Sequence, residues 1–170
     1  MSRKVNDFYP TPHSIIDVML AHWEPILTRW PYTVWEPCVG DGRLATAIGD
    51  TFNVTVYGSD INIGVDFFDS KVCVSPILIT NPPFKYIRQF IDHAFTIGVE
   101  QMMLVCPERL WACKKGQEQF ERHRPSVWVN LNWREDYLGK GGSPDRALAI
   151  AIWDRPHSEE CKYEIWGKGK

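Results

Sequence analysis

The sequence predicts an α/β fold, a doubly wound and mostly parallel sheet with helices on both faces, ending in an antiparallel hairpin. Three observations predict it. Apolar runs at 33–35, 54–58, 77–80 and 102–106 read as strands buried on both faces. Helical periodicity appears between them, at 44–48 and at 87–95, where Ile87, Phe90, Ile91, Ala94 and Phe95 share one stripe. Such alternation calls for right-handed crossovers between parallel strands. Near the end, 126–131 and 147–153 are strand-like and joined by a Gly-rich loop with no helical pattern, so they pair as an antiparallel hairpin at one sheet edge.

The chain opens on a polar, mixed segment over 1–10 that does not read as a signal peptide, and no apolar run approaches the ~18 residues of a membrane span. Thr11 is a suitable N-cap and Pro12 a suitable first helical residue; Ile15, Ile16, Met19, Leu20 and Trp23 then recur at helical spacing. With 170 residues, 44% hydrophobic, and no repeat or linker-like stretch, the chain fits one domain over 1–170. Of the eight tryptophans, Trp35, Trp128 and Trp153 lie in strand-like runs and belong to the core. Trp111 and Trp133 fall in loop-like, basic segments, where loop anchoring is favoured over stacking on a base.

Cys38, Cys73, Cys106, Cys113 and Cys161 form no C-x-x-C pair, which argues for a reducing, cytoplasmic setting and against structural zinc. The five histidines have no metal-ligand spacing, and no metal is expected. The formal net charge of −2 hides an uneven distribution: residues 1–106 carry 7 basic and 11 acidic groups, whereas 107–146 carry 8 and 6. Arg109, Lys114, Lys115, Arg122, Arg124, Arg134, Lys140 and Arg146 make up that basic excess, which suits a phosphate-facing edge as well as a solvated surface.

Ligands of open α/β sheets bind beyond the carboxyl ends of the strands, and three segments there carry chemistry. Glu36-Pro37-Cys38-Val39-Gly40-Asp41-Gly42 leaves the first strand, with glycines where a backbone must turn tightly and approach a ligand closely. Asp60 ends the next strand, 20 residues beyond Gly40, where an acid can accept from both hydroxyls of a ribose. These two suit a dinucleotide or S-adenosylmethionine equally. Asn81-Pro82-Pro83-Phe84 separates them: it is a rigid tip with an amide acceptor, an unbonded carbonyl and an aromatic face. An exocyclic amine is a poor nucleophile until its nitrogen becomes tetrahedral. Acceptors at Asn81 and the Pro82 carbonyl favour that geometry, while Phe84 stacks on the ring.

At these residues the chain resembles the class I S-adenosylmethionine-dependent methyltransferases, and among them amino-methyltransferases with an Asn/Asp-Pro-Pro-aromatic motif. The nearest likeness is to small adenine-specific DNA methyltransferases of bacteriophages and bacteria. The resemblance implies a Rossmann-like fold, S-adenosylmethionine as cofactor, and methylation of adenine N6 in DNA with little sequence selectivity. RNA, protein glutamine, or a silent cofactor-binding partner subunit are the alternatives. It places Tyr9, Thr11, Pro12, Glu36, Gly40, Asp41 and Gly42 by the methionine part of the cofactor, Asp60 at the ribose, and Asp66 with Phe67 at the cofactor adenine. Asn81, Pro82 and Phe84 are then catalytic, and Lys85, Arg109, Trp111, Lys114, Lys115, Arg134 and Lys140 are candidates for nucleic-acid contact. No separate target-recognition domain is expected. Readout falls to loops 107–125 and 132–146, to a recognition subunit, or to a second copy of the chain.

Overall fold

The computed structural model describes residues 10–22, 33–135 and 146–168. Among these residues, seven strands form one sheet: β1 (Thr33–Glu36), β2 (Thr55–Gly58), β3 (Ile77–Thr80), β4 (Gln101–Pro107), β5 (Val127–Glu135), β6 (Arg146–Trp153) and β7 (Lys162–Trp166), in the order β2-β1-β3-β4-β6-β5-β7. Strands β2, β1, β3 and β4 are mutually parallel, and β6 runs antiparallel to both of its neighbours, β4 and β5. Among the described residues, four α-helices flank them: α1 (His13–Ala21), α2 (Arg43–Phe52), α3 (Ile87–Thr96) and α4 (Lys114–Arg122). None of these helices is long and apolar enough to cross a membrane.

The central strands are continuously apolar because each covers two cores. On β3, Ile77 and Ile79 face one cluster with Ile15, Met19, Leu44 and Ile48 from α1 and α2. Leu78 faces the other, with Phe90, Ile91 and Ala94 from α3. The same alternation separates Met103 and Val105 from Met102 and Leu104 on β4, and Ile150 and Ile152 from Ala151 and Trp153 on β6. Trp35, Trp128 and Trp153 are core residues. The indole nitrogens of Trp35 and Trp153 are satisfied by Ser59 Oγ at 3.0 Å and the His123 carbonyl at 2.8 Å.

Five expectations are corrected. The hairpin strands do pair antiparallel, but β6 is inserted between β4 and β5 instead of lying at the edge. The edge belongs to β7, which pairs parallel with β5 and has no apolar run: Tyr163 and Ile165 are 60% and 63% exposed, and only Trp166 is buried. At the opposite edge, β2 is largely exposed, since no strand lies beyond it. Helix α1 begins one residue later than expected: Pro12 is its N-cap, with its carbonyl accepting from the Ile15 and Ile16 amides at 3.0 and 3.1 Å. Segment 107–125 contains α4, and Trp133 belongs to β5, half-buried against the first core.

Helix α4 escaped the periodicity because its sequence, KKGQEQFER, has a single apolar side chain. It is seated by specific contacts instead. Cys113 caps it through the Gly116 amide, Gln119 Nε2 donates to the Arg88 carbonyl at 2.7 Å, and Phe120 packs on Trp111. Gly116 is buried against the preceding turn, where a Cβ would stand 2.6 Å from the Leu110 carbonyl oxygen and 2.9 Å from Trp111 Cα. Backbone atoms cannot step aside as a flexible side chain can. Gly116→Ala is therefore expected to destabilise the protein by about 1–3 kcal/mol, although the same change at an exposed helical site stabilises. Urea unfolding measures it, and an unchanged or raised midpoint would show that the Leu110–Trp111 turn yields.

Candidate active site

The carboxyl ends of β1, β2 and β3 lie side by side, so the loops that leave them must share one edge of the sheet. Between β1 and α2 the chain turns through Gly40 (φ 56°) and Gly42 (φ 82°), both in the left-handed region that a side chain disfavours. A Cβ at Gly42 would meet no atom of the described residues within 4 Å, so it is the backbone angle that calls for glycine there. The turn is tied to the end of β2, with the Val39 amide donating to the Ser59 carbonyl at 2.9 Å and the Ser59 amide to the Glu36 carbonyl at 3.0 Å.

Asp60 completes this tie. Its Oδ2 accepts from the Gly40 amide at 3.0 Å, and its Oδ1 accepts from both the Asn62 backbone and side-chain nitrogens at 2.8 Å. A carboxylate has about four lone-pair sites, and three are engaged. Asp60 thus holds the glycine loop in shape, and among the described residues one lone-pair site, on Oδ2, accepts no hydrogen bond. Asn62, which the sequence did not single out, orients it. Asp41 is exposed and ion-paired with Arg43 at 2.6 Å.

Glu36, the last residue of β1, is 1% exposed, and its Oε2 has no hydrogen-bond partner among the described residues. Burial raises its carboxyl from 4.5 to about 9; an opposing hydrogen bond from the Ala45 amide is outweighed, and the charges of Asp41 and Asp60 raise it further. The group is a neutral acid at pH 7, with one buried oxygen facing no partner. Beside it, burial pushes the half-buried Cys38 thiol up to about 12. The thiol lies against Thr80, at the end of β3, and so marks where the two loops touch. Thr80 Oγ1 finds no partner of hydrogen-bonding geometry, so this contact is an approach and not a formed bond. At so high a pKa, Cys38 is a spacer and not a nucleophile.

Asn81 to Phe84 follow β3 directly. Pro82 is buried, Asn81 and Phe84 are half-buried, and a 3₁₀ turn over Phe84–Tyr86 leads into α3. The Pro83 carbonyl accepts from the Tyr86 amide at 3.0 Å and is consumed by that turn. Among the described residues, neither the Asn81 side chain nor the Pro82 carbonyl has a hydrogen-bond partner. Phe84 packs partly on the first core cluster.

The remaining candidates divide. Thr11 and Pro12 precede α1, whose Ser14 hydroxyl donates to Glu135 at the carboxyl end of β5, so they sit at the same edge of the sheet. Asp66 is half-buried and caps the 3₁₀ turn Phe67–Asp69, accepting from the Phe68 amide at 2.9 Å. The Phe67 ring is 4% exposed and stacked on Phe90 at 3.9 Å, so it serves the core. Its neighbour Phe68, 37% exposed, carries the accessible aromatic surface. Trp111 is likewise taken up by packing against Phe120 and Trp128, which makes it an anchor for α4. Lys85, Arg109, Lys114, Lys115 and Arg134 are all exposed. Tyr9 and Lys140 lie outside the described residues.

The Glu36 carboxyl makes a stability prediction whose sign is fixed. Between about pH 4.5 and 9 the folded chain holds a proton that the unfolded chain releases, so this group's contribution to stability falls as pH rises across that window. A glutamine side chain at this position would carry no such proton. Glu36→Gln is expected to be more stable than wild type at pH 8, by on the order of 3 kcal/mol, with the gap closing toward pH 4.5. Denaturant unfolding at several pH values measures this, and parallel profiles for the two proteins would refute it.

No protein-family model matches the chain, and no curated protein is significantly similar to it in sequence. Solved structures are similar in fold. A type I restriction-modification system methyltransferase subunit from Streptococcus thermophilus superposes with a TM-score of 0.66 at 14% identity, over 95% of this chain and 49% of its own. The type IIG restriction endonuclease BpuSI does so with a TM-score of 0.67 at 13% identity, over 89% and 26%. A Listeria monocytogenes protein described as a class I S-adenosylmethionine-dependent methyltransferase gives 0.61 at 13% identity, over 91% and 65%. The chain thus spans between about a quarter and two thirds of these proteins' lengths. At such identities the likeness is one of architecture: the chain has the Rossmann-like α/β fold of class I methyltransferases.

Proposed function

We propose that the protein is an S-adenosylmethionine-dependent methyltransferase acting on an exocyclic amino nitrogen, with adenine N6 in DNA as acceptor. One observation carries the reading: Asn81 and Pro82 present an amide and a carbonyl that have no hydrogen-bond partner among the described residues, beside a loop that turns through two left-handed glycines. Two of the fold's relatives are named for restriction-modification or restriction activity, which supports a nucleic-acid acceptor.

The residues present fit the cofactor. Among the described residues, the uncrowded Gly42, the lone-pair site left on Asp60 Oδ2 and the unpartnered Oε2 of Glu36 offer a cradle, a hydroxyl partner and an acceptor for an ammonium group. Thr11, Pro12 and Asp66 stand at the margins of the same edge. When bound, S-adenosylmethionine supplies an electrophilic methyl group on a sulfonium.

The chain's own residues do the rest. Asn81 Oδ1 and the Pro82 carbonyl accept from the two N–H groups of the amine, and those bonds strengthen as the nitrogen becomes tetrahedral. The nitrogen gains a methyl and sheds a proton; neither Asn81, Pro82 nor Phe84 is a base, so that proton passes to solvent. Phe84, half-buried beside them, contributes its ring as a stacking face, and a base in a duplex must be flipped out to reach it.

The direct test incubates the protein with labelled S-adenosylmethionine and DNA, RNA or protein in parallel and identifies the methylated product by mass. Label in N6-methyladenine from DNA is expected, and label confined to protein would sink the reading. Asn81→Ala should lower kcat by ~10²–10³ while S-adenosylmethionine affinity, followed by calorimetry, stays near wild type. An undiminished kcat would remove Asn81 from the mechanism. Phe84→Tyr should remain active and Phe84→Ala should lose acceptor binding, with unfolding curves separating that loss from loosened core packing. Equal activity in both would make Phe84 a packing residue.

A further inference from the structure

A groove of about 440 Å³ runs between α3 and α4, beginning at Phe84. Its cationic lining is Lys85, Arg88, Lys115 and Arg122, against the carboxylates of Asp92 and Glu118, in a chain that is acidic overall. Asp92 is occupied by Arg122, at 3.3 Å. That leaves three cations facing one carboxylate.

The floor of the groove is built. Arg88 is immobilised across it: one terminal nitrogen donates to the Leu110 carbonyl at 2.6 Å and to Cys113 Sγ at 3.1 Å. Its Nε is buried with no partner. Gln119, 1% exposed, is pinned through its Nε2 on the Arg88 carbonyl, and its Oε1 is buried and unpartnered as well. A buried donor and a buried acceptor that meet no partner among the described residues are costly, and a polar ligand or its bound water relieves both. Helices α3 and α4 follow strands that run toward the ligand edge, so their N-termini, with Arg88 and Lys115 in the first turns, add favourable potential for an anion.

We infer that this groove is the track for the phosphate backbone of the nucleic-acid strand whose base is stacked on Phe84. The inference rests on the proposed function. A nucleotide with its base on Phe84 has its own phosphates within a residue or two of that ring, and Lys85 is the next residue in the chain. Lys85 and Lys115 neutralise one or two phosphates flanking the target base, and Arg88 Nε–H donates to a phosphate oxygen. Gln119 Oε1 accepts from a water in the phosphate's hydration shell or from a sugar hydroxyl. Of these residues only Lys85 and Lys115 stood out in the sequence. Arg88 enters because α3 and α4 face each other.

The test uses a fluorescent single-stranded DNA oligonucleotide with one adenine, bound by the full chain in the presence of S-adenosylhomocysteine, with anisotropy read over a range of salt. Wild type is compared with Lys85→Ala/Lys115→Ala, whose fold is checked by its unfolding curve. Loss of two phosphate contacts should weaken binding tenfold or more and reduce the slope of log affinity against log salt by about 1.4. Neutral methylphosphonate linkages are then placed singly along the oligonucleotide. In wild type, one or two positions next to the adenine should cost about five- to tenfold, and in the double variant the same positions should cost less than twofold. A wild-type salt slope in the variant, or an equal loss at every linkage in both proteins, overturns the inference, and the proposed function stands if wild type still methylates the DNA. If wild type methylates no nucleic acid at all, the proposed function fails and takes the inference with it.

Discussion

The structure depends on one constraint, that β3 and β4 be covered on both faces. All four residues of β3 are buried, and so are the first six of β4. No side chain along those strands can reach a ligand, so chemistry is confined to the points where the chain leaves the sheet. Parallel strands then bring those points together. The register that sets Trp35 opposite Leu78 brings the loop after Glu36 beside Asn81, although about 45 residues of sequence separate them.

The same confinement separates two electrostatic regions along one edge. Around the glycine loop lie Glu36, Asp41, Asp60 and Asp66, an acidic neighbourhood in which Glu36 retains its proton because burial and neighbouring charge both oppose ionisation. Asp60 serves there as a fixed acceptor for the backbone that must hold its shape. On the α3–α4 side the exposed charge is mainly positive. Under the proposed function, a cationic cofactor and an anionic strand would meet regions of the opposite sign, with Asn81 and Phe84 at the boundary between them. Such an arrangement favours correct placement of each partner more than it adds affinity.

Local signals were legible where a residue's neighbours in sequence are also its reason. The stripe of Ile87, Phe90, Ile91 and Ala94 announced α3, and the apolar run over Ile77–Thr80 announced β3, because periodicity alone reports a buried face. The anchoring role favoured for Trp111 agrees with its packing, but its candidacy for nucleic-acid contact and that of Phe67 for the cofactor were not decidable from sequence. Each is an aromatic in a segment without regular pattern, and whether such a ring meets a ligand or another ring depends on what packs over it: Trp128 and Phe120 in one case, Phe90 in the other. Helix α4 and strand β7 were missed because their stabilising partners lie far off in sequence, at Arg88 and in β5, while their own side chains are mostly polar or exposed.

By itself, then, the sequence determined the α/β alternation, the glycine turn and the Asn-Pro-Pro-Phe tip, since these follow from backbone angles and from short-range periodicity that every fold must respect. Only the tertiary structure decided the insertion of β6 beside β4, the three hydrogen bonds that leave Asp60 one acceptor, the protonated state of Glu36 and the groove between α3 and α4. Each of these depends on groups that only folding brings together. Pairing energy, desolvation and the satisfaction of buried polar atoms are properties of that assembled neighbourhood, and no window of sequence contains them.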